Sequence, residues 1–374
     1  MLAVKERLAR SVESLRDEII RVATAIYDHP ETGNEEYYAA RLLTGLLAGR
    51  GFKITSPLCG LPTAFRAELS GGNGPRVALL AEYDALPGLG HACGHNLIAA
   101  ASLGAALALA AAIKDLGGTV VVLGTPAEET RGAKVLLAGQ GALDDLDVAM
   151  MFHPGDTNAV EVNSLALDAL EFIFEGRAAH AASSPEEGIN ALEAVILFFN
   201  NINSLRPYLK EGASVYGIIT EGGVSPNIIP DRAVARFYIR ARTREALNRV
   251  VLQVENCAAA AALATGSTYR YHNYEPSYEP MLTNRALAAA WRDNLRELGI
   301  IDPGSPGCSR GSLDMGNVSR VVPAIHPYLS LNAGKVVPHS RQFAEIVRGE
   351  QGRRLAILAA KALSWTAADV MLDR

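Results

Sequence analysis

Cysteine is scarce in this chain. Four residues, Cys59, Cys93, Cys257 and Cys308, are scattered over 374 positions and form no disulfide framework. They read as reduced thiols, and the protein as cytoplasmic. Positive charge is not in excess either: 35 Lys and Arg stand against 40 Asp and Glu, a net charge of −5. A nucleic-acid partner would call for a basic face, so none is expected. Long apolar runs are almost absent. The one membrane-like stretch, Leu97–Ile113, is rich in Ala and carries Ser102 and Gly104. It falls at the short end of the roughly 20 residues that a spanning helix needs. It reads as a buried helix of an α/β domain, and no membrane partner is expected. Residues 1–29 alternate charged and apolar residues at helical spacing and lack the apolar core and cleavage site of a signal peptide. No internal repeat or low-complexity segment stands out.

What remains is an ordinary globular composition, 49% hydrophobic and 20% charged. The length exceeds one ordinary core, so two domains are expected. Three short apolar runs, Arg76–Ala81, Thr119–Gly124 and Asp147–Phe152, read as buried parallel strands with helical patterns between them. That alternation predicts a doubly wound, mainly parallel α/β sheet. The middle of the chain differs. Asp168–Gly176, Ala213–Glu221, Arg232–Arg240 and Ser267–Asn273 read as strands, Glu187–Leu205 and Arg244–Thr265 as helices. The order β-α-β-β-α-β is that of a ferredoxin-like α+β unit. It interrupts the first domain, which resumes with a helix at Arg285–Leu298, a strand-like stretch at Val321–Leu331 and a closing helix at Val347–Leu372. The expected division is 1–167 with 281–374, and 168–280 as the insert.

In doubly wound sheets ligands bind outside the carboxyl ends of the strands. Here those ends carry Glu82 and Asp84, then Glu128 and Glu129, then His153. The segment His91-Ala92-Cys93-Gly94-His95-Asn96 adds a thiol and two imidazoles within five residues. Thiolate and imidazole suit a borderline-soft cation: zinc, nickel, cobalt or manganese. Each element has a plain structural reading when taken alone. Cys93 fits a turn, Glu128-Glu129 a solvated helix start favoured by the helix dipole, and His153 a structural strand end. Taken together they suit one purpose. Thiolate, imidazoles and one carboxylate would hold metal, and a second carboxylate would move protons. Of the two C-terminal imidazoles, His339 is better placed than His326. His29 and His272 read as structural.

At these residues the chain resembles the dinuclear metallopeptidase family of aminoacylases, auxin-conjugate hydrolases and aminobenzoyl-glutamate hydrolases. The motifs HACGHN, TPAEET, MFHPG and EGRAAHAASSPEEGINA carry the resemblance, which covers nearly the whole length. GGVSPNIIP, GSLDMGNVS and VPHS resemble the branch of aminobenzoyl-glutamate hydrolase and the β-alanyl-dipeptide acylases. The resemblance implies two divalent metal ions on Cys93, His95, Glu129, His153 and His339, with Cys93 bridging and His326 as the alternative last ligand. It implies that Glu128 is the general base and then acid. It implies that His180 binds the substrate carboxylate or the oxyanion, and that Asn227 and Arg240 hold the free carboxylate. It makes the insert a lid and dimerisation domain, and the protein a homodimer. The chain departs from the family's pattern at Asn96 and at Glu82, where relatives carry Asp.

The expected function is metal-dependent hydrolysis of the amide bond in an N-acyl or N-aroyl amino acid or a dipeptide, by metal-bound hydroxide with Glu128 as proton shuttle. The small-molecule substrate would end in a free carboxylate. A hydrolytic deaminase of an aromatic amine is the second reading. A non-catalytic metal- or peptide-binding homologue is the third.

Overall fold

The uninterrupted Val and Leu runs become strands buried on both faces, as strands between two helix layers must be. The structure is a computed structural model and describes residues 2–210, 212–300, 302, 304, 307–308 and 311–372. Strands are numbered along the chain. They are β1 Lys53–Thr55, β2 Phe65–Ser70, β3 Arg76–Ala81, β4 Thr119–Gly124, β5 Val148–Met150, β6 His153–Gly155 and β7 Val162–Asn163. Next come β8 Ala166–Glu175, β9 Ser214–Glu221, β10 Arg232–Ala241 and β11 Thr268–Asn273. The last are β12 Gly307–Cys308, β13 Ala324–Ile325 and β14 Tyr328–Ser330.

The chain divides into two compact units. The first comprises Met1–Asn163, Met281–Ser309 and Asp314–Arg374, and the second Ser164–Pro280 with Arg310–Leu313. The first is built on a six-stranded sheet of order β1-β2-β4-β3-β5-β13. Strands β4, β3, β5 and β13 run parallel, while β2 and β1 add an antiparallel edge. The helix His95–Ala110 covers β3 and β4 and packs against the helices Arg16–Asp28 and Glu350–Leu372. It is buried along nearly its whole length. Gly104 makes this close packing possible, since a Cβ there would lie 2.5 Å from Ile19 Cδ1. Among the described residues, Glu350–Leu372 is the one helix long and apolar enough to cross a membrane, and 72% of that stretch is buried inside the fold.

Two elements differ from the sequence reading. Val321–Leu331 is not one strand: Val321 ends the helix Met315–Val321, and Pro327, which lacks the N–H a ladder needs, lies between β13 and β14. The closing helix is two, Arg341–Arg348 and Glu350–Leu372, because Gly349 takes an extended conformation between them.

The second unit is a four-stranded antiparallel sheet of order β11-β8-β10-β9. The helices Ala191–Leu205 and Arg244–Thr265 pack against it, with Phe172, Phe174, Phe198 and Phe237 at the centre of its core. The first helix starts at Ala191 because the Asn190 side chain accepts the N–H groups of Leu192 and Glu193. Thr243 caps the second in the same way.

Candidate metal centre

The carboxyl ends of β3, β4 and β5 bring the chemistry-bearing side chains of the first unit together. Asp84 follows β3 and braces two of them. Its carboxylate accepts His95 Nδ1–H at 2.8 Å through one oxygen and the Glu129 backbone N–H at 3.0 Å through the other. His95 opens its helix directly after Gly94, which takes the left-handed conformation (φ 84°). With Nδ1 committed to Asp84, Nε2 is the nitrogen that faces the site. His153 is set in the same manner: Nδ1 bonds the Pro154 carbonyl at 2.8 Å, and Nε2 lies 3.5 Å from Cys93 Sγ. His339 enters from the loop after β14, its N–H bound to the Ala92 carbonyl, its φ a strained 61°. Its Nε2 stands 3.3 Å from Glu129 Oε1.

Three overlapping groups result. Ligand atoms of Cys93, His95 and His153 lie within 4.8 Å of one another; so do those of Cys93, Glu129 and His339, and those of His95, Glu128 and Glu129. All five expected ligands and Glu128 therefore converge. His326 joins no such group among the described residues; it is buried with its ring 5.5 Å from that of His153.

The electrostatics of this pocket call for a cation. Burial pushes the Cys93 thiol up, so it keeps its proton in the absence of a positive charge. Burial opposes a charge on His95, but Asp84, Cys93 and Glu82 outweigh it and raise its proton affinity well above that of a free imidazole. Burial would also raise Glu129, yet His339 and His95 hold it at about 2. Glu82 Oε2, His95 Nε2 and Glu129 Oε1 are buried without a well-formed hydrogen bond among the described residues. Unpaired buried oxygens are costly, and a divalent ion satisfies them. The donors present, thiolate, imidazole and carboxylate, fit zinc, manganese, cobalt or nickel.

Glu128 stands apart from its neighbour. Burial, then Asp314, Glu82 and Glu129, raise its proton affinity well above the usual carboxylate range. Its orientation is set by Ala127, held at φ 59°. The Ala127 carbonyl accepts three N–H groups, from Thr130, Arg131 and Gly132, and its own N–H donates to Glu36 at 2.9 Å.

Sequence reasoning missed the support of this loop and of β3. Glu36 is fully buried and accepts Thr63 Oγ1–H as well. Lys134, also fully buried, sits between Glu82 at 2.6 Å and Asp314 at 2.7 Å. One signal was readable: a single Lys in the otherwise apolar helix Ala133–Gly139.

The remaining site residues belong to the second unit. His180 is exposed, and its Nδ1 accepts the N–H groups of Ala182 and Ser183, which leaves Nε2–H free to donate. The Asn227 carbonyl accepts the Ala181 N–H, so His180 and Asn227 stand side by side. Arg240 does not join them within one chain. It lies at the far end of β10, eight residues beyond Arg232, about 26 Å at strand rise. There it covers the Tyr238 ring, half-buried, with Nε unpaired among the described residues.

A mainly parallel α/β sheet with thiol, imidazole and carboxylate groups that could hold metal gathered at its strand ends fits a class: the metal-dependent amide hydrolases. The chain belongs to peptidase family M20/M25/M40, which it matches over residues 78–345. It is 39% identical to an Xaa-Arg dipeptidase of Mus musculus, over 98% of this chain and 89% of that one, and equally to its Homo sapiens counterpart. It is 34% identical to a p-aminobenzoyl-glutamate hydrolase polypeptide of Escherichia coli, over 77% of this chain and 64% of that one. Among solved structures, an aminobenzoyl-glutamate utilization protein of Klebsiella pneumoniae shares the fold with a TM-score of 0.77 at 18% identity, covering 97% of this chain and 98% of that one. A dinuclear metal binding peptidase of the M20 family from Bacillus subtilis does so with a TM-score of 0.71 at 21% identity, covering 96% and 99%.

Proposed function

We propose that this enzyme hydrolyses the amide bond of dipeptides or N-acyl amino acids that end in a free carboxylate, dipeptides ending in arginine first among them. The observation that carries the reading is the convergence of Cys93, His95, Glu129, His153 and His339 on one pocket with Glu128 beside it. The likeness to Xaa-Arg dipeptidases along almost the whole chain supports the substrate class.

Those five residues would hold two divalent ions, zinc, manganese, cobalt or nickel, which supply Lewis acidity toward a water and an amide carbonyl. Glu128 takes the proton of the attacking water and passes it to the leaving amine. Burial and its carboxylate neighbours raise its proton affinity, which favours its taking that proton. His180, with Nε2–H free, donates to the oxyanion or to the substrate carboxylate, and Asn227 beside it assists. Arg240 binds a carboxylate only where a second chain brings it near.

That arrangement requires a homodimer, formed through the second unit. The edge strand β9 exposes Tyr216 and Ile218 on one face, which pairs across a two-fold. Sedimentation of the chain and of an Ile218→Lys variant tests this; a monomeric parent overturns it. The compartment we propose is the cytoplasm, consistent with reduced thiols.

The direct test loads the protein with Mn, Zn, Co or Ni in turn and offers dipeptides and N-acyl amino acids. Amino-acid release and ammonia release are read separately. Release of the C-terminal amino acid is expected. Ammonia alone, or no product with any metal, overturns the reading.

A further inference from the structure

Two buried carboxylate oxygens lie near one buried imidazole nitrogen, and no well-formed hydrogen bond closes either gap. His95 Nε2 lies 3.5 Å from Glu82 Oε2 and 3.8 Å from Glu129 Oε1, and none of the three makes a well-formed hydrogen bond among the described residues. The spacing is informative. Two donors about 2.1 Å from a cation at the tetrahedral angle stand about 3.4 Å apart. Glu129 and His95 belong to the metal centre already described. Glu82 does not, yet it meets His95 at the shorter distance.

Its second oxygen explains why it can do so. Glu82 Oε1 is held by Lys134 Nζ at 2.6 Å. That ammonium is fixed in turn by Asp314 Oδ1 at 2.7 Å, and the Lys134 backbone N–H donates to Asp314 Oδ2 at 3.2 Å. All three side chains are buried. The carboxylate therefore cannot rotate away without breaking a buried ion pair. Two carboxylates around one ammonium leave a net charge of −1, and the unpaired oxygen that carries it faces His95. An aspartate at position 82 would be one methylene too short to touch Lys134 and His95 together.

We propose that Glu82, positioned by Lys134, is a sixth protein ligand of the metal centre, adding an oxygen donor to the ion that His95 would hold. It rests on the dinuclear reading of Cys93, His95, Glu129, His153 and His339. The added carboxylate shifts that ion's preference toward oxygen-loving manganese over zinc.

The test uses the full chain stripped of metal and titrated with Mn²⁺ alone, with bound ion counted by elemental analysis and affinity read by calorimetry. The parent is expected to bind two ions. Glu82→Gln keeps the shape and the bond from Lys134; Glu82→Asp keeps the charge and withdraws the reach. Both are expected to weaken one of the two Mn²⁺ sites at least tenfold, and the Mn²⁺ over Zn²⁺ preference with it. Thermal melts of the stripped variants establish that each folds, and either variant alone suffices. Affinities within twofold of the parent in a folded variant overturn the proposal and leave the dinuclear reading intact. A parent that binds no ion, or a Cys93→Ala variant that binds two as well as the parent, overturns the dinuclear reading and this proposal with it.

Discussion

Glu128 and Glu129 are adjacent in sequence and opposite in proton affinity. The first is raised by burial and by three other carboxylates, while the second is held at about 2 by His339 and His95. Under the proposed function the first moves protons and the second binds a cation. Glu128→Gln is expected to keep both metal ions and lose roughly 10²–10⁴-fold in turnover, the usual worth of a general acid–base group. Elemental analysis beside a rate assay checks both halves, and near-normal turnover would remove Glu128 from the role. Glu36, which supports the same loop, gives a stability signal. Burial raises its carboxyl to about 7, against the donors Thr63 and Ala127 that lower it. In the unfolded chain it titrates near 4.5. Between these values the unfolded state releases a proton that the folded state keeps. The stability it contributes is thus full below about pH 4.5 and lost as pH rises through about 7, on the order of 3 kcal/mol in all. Glu36→Gln, whose amide oxygen still accepts from Ala127, should flatten that slope. Chemical denaturation of both proteins from pH 4.5 to 8 measures it, and parallel slopes refute the assignment.

At the level of elements, the strand ends were the legible part. Val and Leu runs bounded by Gly, Pro and acidic residues marked β3, β4 and β5, and the strand-end rule then pointed to Glu82, Asp84, Glu128, Glu129 and His153. The inserted β-α-β-β-α-β unit was legible from the order of its strand-like and helical stretches. Partners brought in from distant segments were not. Lys134 meets Asp314 across 180 residues, and Glu36 meets Ala127 across 91, with no local pattern to announce either contact. The separation of Arg240 from Asn227 was legible by contrast, since the expected strand Arg232–Arg240 already puts its own length between them. Helix packing is hidden as those remote partners are, and two glycines illustrate it. Gly104 and Gly45 both sit inside helices. A Cβ at Gly104 would lie 2.5 Å from Ile19 Cδ1 and 3.3 Å from Ala360 Cβ, whereas at Gly45 it would meet nothing within 4 Å. Gly104→Ala is therefore expected to destabilise the protein by about 1–3 kcal/mol through overpacking. Gly45→Ala should stabilise it by about 0.5–1 kcal/mol through helix propensity. Opposite shifts in urea midpoints are the check; shifts of equal sign would mean that the close packing at Gly104 is not tight.

For the molecule as a whole, the metal centre is a tie between remote stretches of the chain. Cys93 and His95, Glu129, and His153 precede the insertion, and His339 follows it, so ions held by the proposed ligands would join both parts of the first unit. An unfolded chain does not preserve that geometry, so metal binds the folded state preferentially and stabilises it by mass action. The gain is about 2.7 kcal/mol per site when free ion stands at 100 times its dissociation constant. Chelation should lower the melting temperature accordingly, and His339→Ala should shrink the difference between the loaded and stripped forms. The size of that difference depends on pH, with a definite sign. Burial holds the proton on the Cys93 thiol, and Asp84, Cys93 and Glu82 prevail over burial to hold one on the His95 ring. A cation must displace both, so binding releases protons and strengthens as pH rises. The loaded-minus-stripped shift in melting temperature is therefore expected to be larger at pH 8 than at pH 6 at the same free Mn²⁺ concentration. Calorimetric melts in paired buffers, with and without chelator, measure it. A shift that is constant or falls with pH would mean that the ions bind without displacing protons from Cys93 and His95, and would move the metal away from these ligands.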